Sequence, residues 1–352
     1  AGASPPTHTK NNWLQKKTDE TKGKRMAGIF KLTSGGLMVN YRCSARCGHC
    51  LYNCSPDREG DYISADLAKE VFLRVRALGT PSMHISGGEP FLDVDKLCAV
   101  LRAAQEAEMP IDYIETSSSF VTNEEQALRT VLRVRDLGVR TLSLSISPYH
   151  NEFIALDKVL LLSNACREAG VTPSLWIDEF FPDMTALPTD APHSRAEYEA
   201  YFGKNYWPLL RPRYGLHMLG RALTTHAKDM PTVSTSRIPH MGRSCVELGG
   251  RSHYHIDLYG RYIPPSCPGL SLPLSALGAE LDPEVYPVYT RLAQDPRSLL
   301  DFCKAKGFTP KSSYYNRCHL CQDMRLFLYR NFPGAFPELA PASFYEAVIA
   351  EN

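Results

Sequence analysis

Apolar strand-like segments and amphipathic helix-like segments alternate about six times between residues 36 and 222. A strand–helix repeat of this kind requires parallel strands, because each helix returns the chain to the same edge of the sheet. We therefore predict an α/β fold, and six units suit a partial (β/α)6 TIM-like barrel better than a closed eight-fold barrel of about 250 residues. The predicted strands are 36–41, 82–86, 111–117, 141–147, 172–180 and 215–219, and the predicted helices are 65–78, 94–107, 123–137, 153–169 and 195–202.

The pattern changes after about residue 225. Polar and apolar residues alternate over 253–259 and a turn follows at Gly260, which predicts a β-hairpin in a small separate α+β module. Helical spacing returns over 284–306 and 318–329. The predicted organisation is a flexible basic arm (1–34), a partial barrel (35–240), an α+β module (241–335) and a C-terminal helix or tail (336–352).

Charge and cysteine content narrow the classes of function. Lys and Arg number 39 against 38 Asp and Glu, so the net charge of +1 gives no general reason to bind nucleic acid or an anionic membrane. The chain has no apolar run of about 18 residues that could span a bilayer. Eleven cysteines, several closely spaced, indicate reduced thiols in the cytoplasm that bind metal or take part in chemistry.

The first cysteine cluster follows the first predicted strand. Cys43, Cys47 and Cys50 have the spacing C-x3-C-x2-C, so three thiolates of one loop can converge on one metal centre. Three ligands leave one position of a [4Fe–4S] cluster open to another molecule. A structural zinc ion, in contrast, prefers four protein ligands.

A second motif lies at the end of the second predicted strand. Gly87, Gly88, Glu89 and Pro90 form the tetrapeptide Gly-Gly-Glu-Pro about 37 residues after the last cysteine of the cluster. Glycines allow a ligand to approach the backbone closely, and Glu89 offers a carboxylate for an ammonium group. The carboxyl ends of parallel strands meet at one edge, so this motif and the cysteine loop should share a site.

Together these two motifs resemble those of the radical S-adenosylmethionine (SAM) enzymes. The resemblance implies a [4Fe–4S] cluster on Cys43, Cys47 and Cys50, with SAM bound to its open iron. It also implies a reductant such as flavodoxin or ferredoxin as a partner. The residues that it implies for SAM binding are His49 against the adenine, the strand edge Gly87, Gly88, Glu89 and Pro90 at the methionine amino group, and Ser117 and Ser145 at the carboxylate or ribose.

A second set of cysteines lies near the C-terminal end. Cys245 precedes the predicted hairpin, Cys267 follows it, and Cys318 and Cys321 form a C-x2-C pair. Four thiolates can complete a metal site. The arrangement resembles the Twitch module, the short form of the SPASM extension, which implies an auxiliary [4Fe–4S] cluster; cysteine spacing alone leaves a structural zinc ion open.

Four further residues are candidates for catalysis or substrate binding. Cys54 lies four residues after Cys50, and His150 follows the fourth predicted strand at the rim of the SAM site. Arg221 follows the sixth predicted strand and could contact an acidic group of a substrate. His255 lies on one face of the hairpin. Each also has a purely structural interpretation.

The resemblance implies reductive cleavage of SAM to a 5′-deoxyadenosyl radical, which takes a hydrogen atom from the substrate. With an auxiliary cluster, we expect a two-electron oxidation, either a dehydrogenation or a cross-link, of a peptide or a small polar metabolite. A redox-neutral epimerisation, with Cys54 or Cys303 as hydrogen donor, is the first alternative. A metal-binding protein without radical chemistry, which recognises a partner, is the second.

Overall fold

The computed structural model describes residues 27–227, 230–238, 245 and 247–351. Most of the predicted basic arm, residues 1–26, lies outside the described residues. The end of the predicted arm is not free: Ile29 and Leu32 are buried in the core, and Gly28 forms a β-bridge with Glu280. The apolar side chains of this short segment pack before the first strand begins, so the prediction of an arm up to residue 34 is wrong for its last residues.

The helices of the strand–helix repeat form close to their predicted positions. Ser64, Asp93 and Asn123 each accept a hydrogen bond from the first turn of the helix that follows, as N-caps do. The helices of this part are α1 (Ala65–Ala77), α2 (Val94–Glu106), α3 (Glu124–Asp136), α4 (Pro148–Asn151), α5 (Leu156–Glu168), α6 (Phe181–Thr185), α7 (Arg195–Phe202), α8 (Tyr206–Tyr214) and α9 (Arg221–His226).

Five strands alternate with these helices, and five more follow. The first five are β1 (Ser34–Met38), β2 (Met83–Ser86), β3 (Ile111–Thr116), β4 (Thr141–Ser145) and β5 (Thr172–Trp176), and the others are β6 (Val233–Ser234), β7 (Ser252–Ile256), β8 (Arg261–Ile263), β9 (Leu272–Pro273) and β10 (Ser313–Tyr314). Eight of the described strands form one sheet in the order β5-β4-β3-β2-β1-β7-β8-β9. The predicted α/β fold with a central, mostly parallel sheet is confirmed.

The sixth parallel strand is not the predicted one. Residues 215–219 form no strand; β7 pairs in parallel with β1 instead, with Gly36 opposite His255. Backbone pairing of β7 extends the sheet on the side opposite β5. The predicted hairpin is present as antiparallel β7 and β8, but it continues the central sheet rather than forming a separate one.

The two faces of the parallel strands differ in chemistry. Apolar residues such as Ile85, Ile114 and Leu142 are fully buried, as expected beneath the helices. The alternate residues are mostly polar or aromatic, and several of them line a cavity, so we call this side of the sheet the cavity face. Its residues are Gly36, His84, Tyr113, Glu115, Ser143, Ser145, Ser174, Trp176 and His255.

Helices dominate the remainder of the chain. They are α10 (Pro287–Gln294), α11 (Pro296–Ala305), α12 (Arg317–Asn331) and α13 (Ala342–Ala350). β10 pairs in antiparallel fashion with β6. Among the described helices, none combines the length and the apolar composition needed to cross a membrane. The proposed boundary between residues 240 and 241 stays a prediction, since the central sheet contains strands from both sides of it.

Candidate functional site

Both sequence motifs open onto one cavity at the carboxyl ends of the parallel strands. The cavity has a volume of about 420 Å³, within the range of about 300–1,000 Å³ that ligand pockets show. The cysteine loop, the end of β2 and the ends of β3, β4 and β5 all contribute to it. The predicted site residues that line it are Cys43, Cys47, His49, Cys50, Cys54, Gly87, Gly88, Pro90, Ser117, Ser145 and His150.

The cysteine loop offers three thiols without disulfide partners to this cavity. All eleven cysteines are free, and Cys43 and Cys47 are buried. Burial raises the pKa of Cys43 to about 12, whereas a hydrogen bond from the Cys54 thiol lowers the pKa of Cys50 to about 6. The backbone N–H groups of Ala45 and Cys54 donate to the sulphurs of Cys43 (3.5 Å) and Cys50 (3.3 Å). Such N–H···S contacts tune iron–sulphur clusters, so this donor set fits a [4Fe–4S] cluster.

The spacing of these thiols argues against a single zinc ion. Tetrahedral Zn–S bonds of about 2.3 Å hold sulphurs roughly 4 Å apart. Among the described residues, only one set of three metal-binding side chains (Cys, His, Asp or Glu) has its ligand atoms within 4.8 Å of one another. This set is Cys47, His49 and His150. At least one pair among the sulphurs of Cys43, Cys47 and Cys50 is therefore more than 4.8 Å apart, which ligands on different irons of a cluster can be.

The Gly-Gly-Glu-Pro segment packs closely against the backbone that leads into the cysteine loop. Gly88 donates its N–H to the carbonyl of Asn40 (2.9 Å), and Glu89 donates its own to the carbonyl of Arg42 (3.0 Å). A Cβ atom on Gly88 would lie 2.1 Å from the carbonyl oxygen of Arg42. Only glycine fits there, so the two motifs are held together by backbone contact.

The Glu89 carboxylate is buried and already hydrogen-bonded within the chain. It accepts from the Thr116 hydroxyl (2.9 Å) and from the backbone N–H groups of Phe91 (3.1 Å) and Ser117 (2.8 Å), and the Ser117 hydroxyl donates to it as well. Burial raises its pKa although these donors oppose the rise. Glu89 thus ties the end of β2 to the end of β3, and its predicted contact with an ammonium group stays a prediction.

We expect the substitution Gly88→Ala to disrupt this site. The added methyl group meets backbone rather than a movable side chain, so overpacking should cost about 1–3 kcal/mol or more and displace the cysteine loop. Thermal unfolding and equilibrium binding of SAM would measure both effects. Gly249→Ala is the matched control, because nothing lies within 4 Å of its added Cβ. Equal behaviour of the two variants would contradict this prediction.

His49 lies in a cluster of aromatic rings beside the cavity. Its ring centroid is 4.8 Å from that of Tyr149 and 4.7 Å from those of His150 and Tyr214. The Tyr214 hydroxyl and His49 Nε2 are hydrogen-bonded at 3.0 Å. Ser147 caps α4 and lies 2.8 Å from His150 Nδ1 through its hydroxyl, which fixes the second imidazole at the rim. Burial lowers the pKa of both histidines, that of His150 to about 4, so both are neutral at pH 7.

Sequence reasoning missed several cavity residues. Glu115, Trp176 and Tyr214 line the cavity together with the predicted Ser117 and Ser145. The strand period of two could have identified Glu115, because it alternates with the buried Ile114. Tyr214 lies at the end of α8, in a segment whose position depends on tertiary packing alone.

Arg221 does not line the cavity, and its predicted role as a substrate contact stays a prediction. It is buried; it pairs with Glu351 (2.8 Å) and donates to the carbonyls of Cys47 (3.2 Å) and Cys54 (3.0 Å). Because residues 215–219 form no sixth strand, α9 lies instead against the cysteine loop, where the backbone N–H of Arg221 donates to the carbonyl of Cys50 (3.1 Å). Arg221 therefore positions the loop.

His255 lies on the cavity face but not among the residues that line the cavity. Its Nδ1 atom is 3.0 Å from the Tyr52 hydroxyl, and its Nε2 atom is 3.2 Å from Nε2 of His84. These contacts connect β7 to β2 and to the cysteine loop. A role toward substrate stays a prediction.

The four cysteines of the second set come together at a separate small cavity of about 100 Å³. Cys245, Cys267, Cys318 and Cys321 all line it. The side chain of Arg325 is completely buried there; it donates to the carbonyl of Pro268 (2.8 Å), and its positive charge faces the thiols of Cys267 and Cys321. As in the first site, these four thiols are not within 4.8 Å of one another. The set fits an iron–sulphur cluster, whereas Cys303 is a core residue of α11 outside both cavity linings.

Comparison with known proteins gives a family match over the first part of the chain. The model of the Radical SAM superfamily matches residues 37–175, which contain β1 to β5 and both motifs of the first cavity. A search of curated proteins by sequence gives no match.

The comparison with solved structures gives neighbours of low sequence identity and low TM-score. SuiB from Streptococcus suis bound to S-adenosylmethionine is 14% identical over 68% of this chain and 60% of SuiB, with a TM-score of 0.33. Native anSMEcpe with bound AdoMet and Cp18Cys peptide is 14% identical over 86% of this chain and 97% of its own, with a TM-score of 0.39. Coproporphyrinogen III oxidase (HemN) from Escherichia coli, described as a radical SAM enzyme, is 12% identical over 85% of this chain and 91% of its own, with a TM-score of 0.34. Residues 37–175, less than half of the chain, are therefore similar to the Radical SAM superfamily, a similarity that implies SAM and a [4Fe–4S] cluster.

Proposed function

We propose that this protein is a radical SAM enzyme that carries out a two-electron oxidation, a dehydrogenation or a cross-link, of a peptide or a small polar metabolite. The observation that carries the first half of the proposal is the single cavity shared by the cysteine loop and the Gly-Gly-Glu-Pro edge. When bound and reduced, the cluster supplies the electron that cleaves SAM and so starts abstraction of a hydrogen atom from the substrate.

The chain's own residues bind, orient and shield the reactants. Cys43, Cys47 and Cys50 would hold the cluster and leave one position open to SAM. The strand edge at Gly87 and Gly88, together with the hydroxyls of Ser117 and Ser145, would orient SAM at the strand ends. The serine side chains are small, so they leave room for a ligand in the cavity. The aromatic cluster around His49 closes one side and reduces the access of water.

The oxidative outcome is supported by the second set of cysteines. Four thiols from Cys245, Cys267, Cys318 and Cys321 leave no open position on an auxiliary [4Fe–4S] cluster, so this site suits electron transfer better than substrate binding. The buried Arg325 compensates the charge that such a cluster would add. No three of the four thiols all lie within 4.8 Å of one another, and this spacing favours a cluster over the alternative zinc ion.

Epimerisation is the second candidate, and one observation favours it. Cys54 lines the first cavity and is buried beside Cys50, so a thiol is available where a hydrogen donor would be needed. Cys303 lines neither cavity and is a poor donor candidate. Replacement of Cys54 by alanine should divert the product of an epimerase and leave that of an oxidase unchanged.

The test is anaerobic reconstitution of the full chain, with iron and sulphide counted and 5′-deoxyadenosine measured after reduction with SAM. We expect about eight irons per chain for two clusters, and release of the nucleoside. In the variant Cys321→Ala the count should fall to about four, while nucleoside release persists. Cys303→Ala is the matched control and should retain about eight.

Three outcomes would contradict parts of the proposal. A count of about four in the unchanged protein, with zinc at the second site, would remove the auxiliary cluster. A count of eight in Cys321→Ala would show that this residue is not a ligand. Loaded protein that neither binds SAM nor releases nucleoside would overturn the proposed function itself.

A further inference from the structure

The described residues that line the first cavity provide a single carboxylate. Of the described residues that line it, Glu115 alone is acidic, and none is a lysine, an arginine or an aspartate. The remaining polar groups are hydroxyls, thiols and imidazoles. The cavity is therefore suited to a ligand with a positive charge and unsuited to one that presents only carboxylate or phosphate groups.

Glu115 faces this cavity from β3, one residue before the carboxyl end of the strand. It lies on β3, opposite Ser143 of β4, and 40% of its side chain is exposed. Among the described residues, the only basic nitrogen within 4 Å of the carboxylate is Nε2 of His84, at 3.9 Å. Among the described residues no hydrogen bond to the Glu115 side chain is found, unlike the fully bonded Glu89. Glu115 is thus a carboxylate with free acceptor positions turned toward the cavity.

The neighbouring imidazoles do not neutralise this carboxylate. His84 and His255 approach each other above Gly36, where a Cβ atom would lie 2.2 Å from His84 Nε2. Burial lowers the pKa of His84 to about 4, and it also lowers that of His255. Both rings are therefore neutral at pH 7. Their contacts with each other and with Tyr52 hold them in place.

Although 40% of the Glu115 side chain is exposed, the protein around it solvates a charge poorly and raises the pKa of the carboxyl to about 7. A cation that binds next to the carboxylate would compensate this cost. Trp176, which is 49% exposed, lines the same cavity and is an aromatic side chain of the kind that binds cations.

We propose that Glu115 is the residue that binds a cationic group of the substrate, an ammonium or a guanidinium, on the cavity face. This inference rests on the proposed function and deepens it, since it selects amines among peptides and small polar metabolites. Glu115 precedes Thr116 and Ser117, which hold Glu89 at the strand edge, so the carboxylate lies deeper in the sheet than the edge assigned to SAM. The ammonium group of SAM is the competing partner, and the experiment separates the two.

The experiment uses the reconstituted full chain with SAM bound and two probes of nearly equal shape, benzylamine and benzyl alcohol. Saturation-transfer NMR and calorimetry would give their affinities for the unchanged protein and for Glu115→Gln. We expect benzylamine to bind better than the alcohol, and Glu115→Gln to weaken benzylamine by roughly 10- to 100-fold without weakening the alcohol. Glu125→Gln, on the exposed face of α3, is the matched control and should change neither.

The same titrations at pH 6 and pH 8 measure the pH dependence of benzylamine binding. A purely structural role of Glu115 would not produce such a dependence. Benzylamine stays protonated over this range, whereas Glu115 loses its proton near pH 7, so binding should strengthen as the pH rises. His84 of β2, Tyr113 of β3, Tyr52 and Tyr214 face Glu115 and stay neutral between these pH values. His49, His150 and His217 line the same cavity and are unchanged in Glu115→Gln, so the comparison with that variant separates their effect from that of Glu115. The pH dependence should disappear in Glu115→Gln.

Several outcomes would overturn the inference. One is the absence of a preference for the amine in the unchanged protein, including failure of both probes to bind at the highest concentration used. Another is unchanged benzylamine binding in Glu115→Gln. A third is a parallel loss of SAM affinity in that variant, which would assign Glu115 to the ammonium group of SAM. Failure of the proposed function is distinguished from these results, because it would appear as absent nucleoside release in the unchanged protein.

Discussion

Replacement of Cys47 by alanine is expected to abolish iron binding at the first site and the cleavage of SAM. Cys47 is buried between Cys43 and Cys50 on the same cavity, and no other described thiol but Cys54 lines that cavity. Loss of an outer-shell partner of a metal site costs about 10- to 100-fold in activity, and loss of a ligand should cost more. Iron and sulphide content and 5′-deoxyadenosine release measure the effect.

Cys54→Ala is the control for this prediction. It removes a thiol of the same loop that is also buried, together with the hydrogen bond from that thiol to Cys50. The substitution keeps the hydrogen bond from the backbone N–H of residue 54 to the Cys50 sulphur. We expect it to retain about four irons at the first site and to release nucleoside. A Cys47→Ala protein that keeps both properties while Cys54→Ala loses them would show that Cys54 is the third ligand.

Replacement of Arg221 by methionine should cause the largest loss of stability among single changes near the site. It removes the buried guanidinium that pairs with Glu351 and that donates to the carbonyls of Cys47 and Cys54. The Glu351 carboxylate then keeps only the amide of Asn53 (2.9 Å) and the more distant Arg46 (3.9 Å). Breaking a buried ion pair from one side costs about 3–5 kcal/mol, because the remaining charge is poorly solvated. The side chains are only 7% and 17% exposed, so screening by water is weak. Urea unfolding of the reduced protein measures the free energy.

Two further variants make this prediction specific. Arg129→Met breaks an exposed ion pair with Glu125 and should cost no more than about 1 kcal/mol. The double variant Arg221→Met, Glu351→Leu should regain part of the loss, because no unpaired charge remains. A loss of only about 1 kcal/mol in Arg221→Met would show that the pair does not hold the cysteine loop.

The sequence alone predicted the repeating units of the fold and the chemistry of the first site. Strand and helix periods, together with caps such as Ser64 and Asn123, are local properties, so α1, α3 and the five strands up to β5 lie where their patterns indicate. The spacing of Cys43, Cys47 and Cys50 and the Gly-Gly-Glu-Pro tetrapeptide are local as well. Strand ends of a parallel sheet share one edge, which is why both motifs meet at one cavity.

Tertiary structure alone decided which strand completed the sheet and which side chains faced the cavity. The sixth parallel strand is β7, far away in the sequence, because strand pairing depends on backbone geometry that no local period encodes. The segment before α9 forms no strand, and α9 places Arg221 against the cysteine loop. The pairing of Gly36 with both His84 and His255 brings two imidazoles together. Glu115 has an ordinary place in a strand pattern. Only packing shows that its carboxylate faces a cavity whose described lining residues include no lysine or arginine.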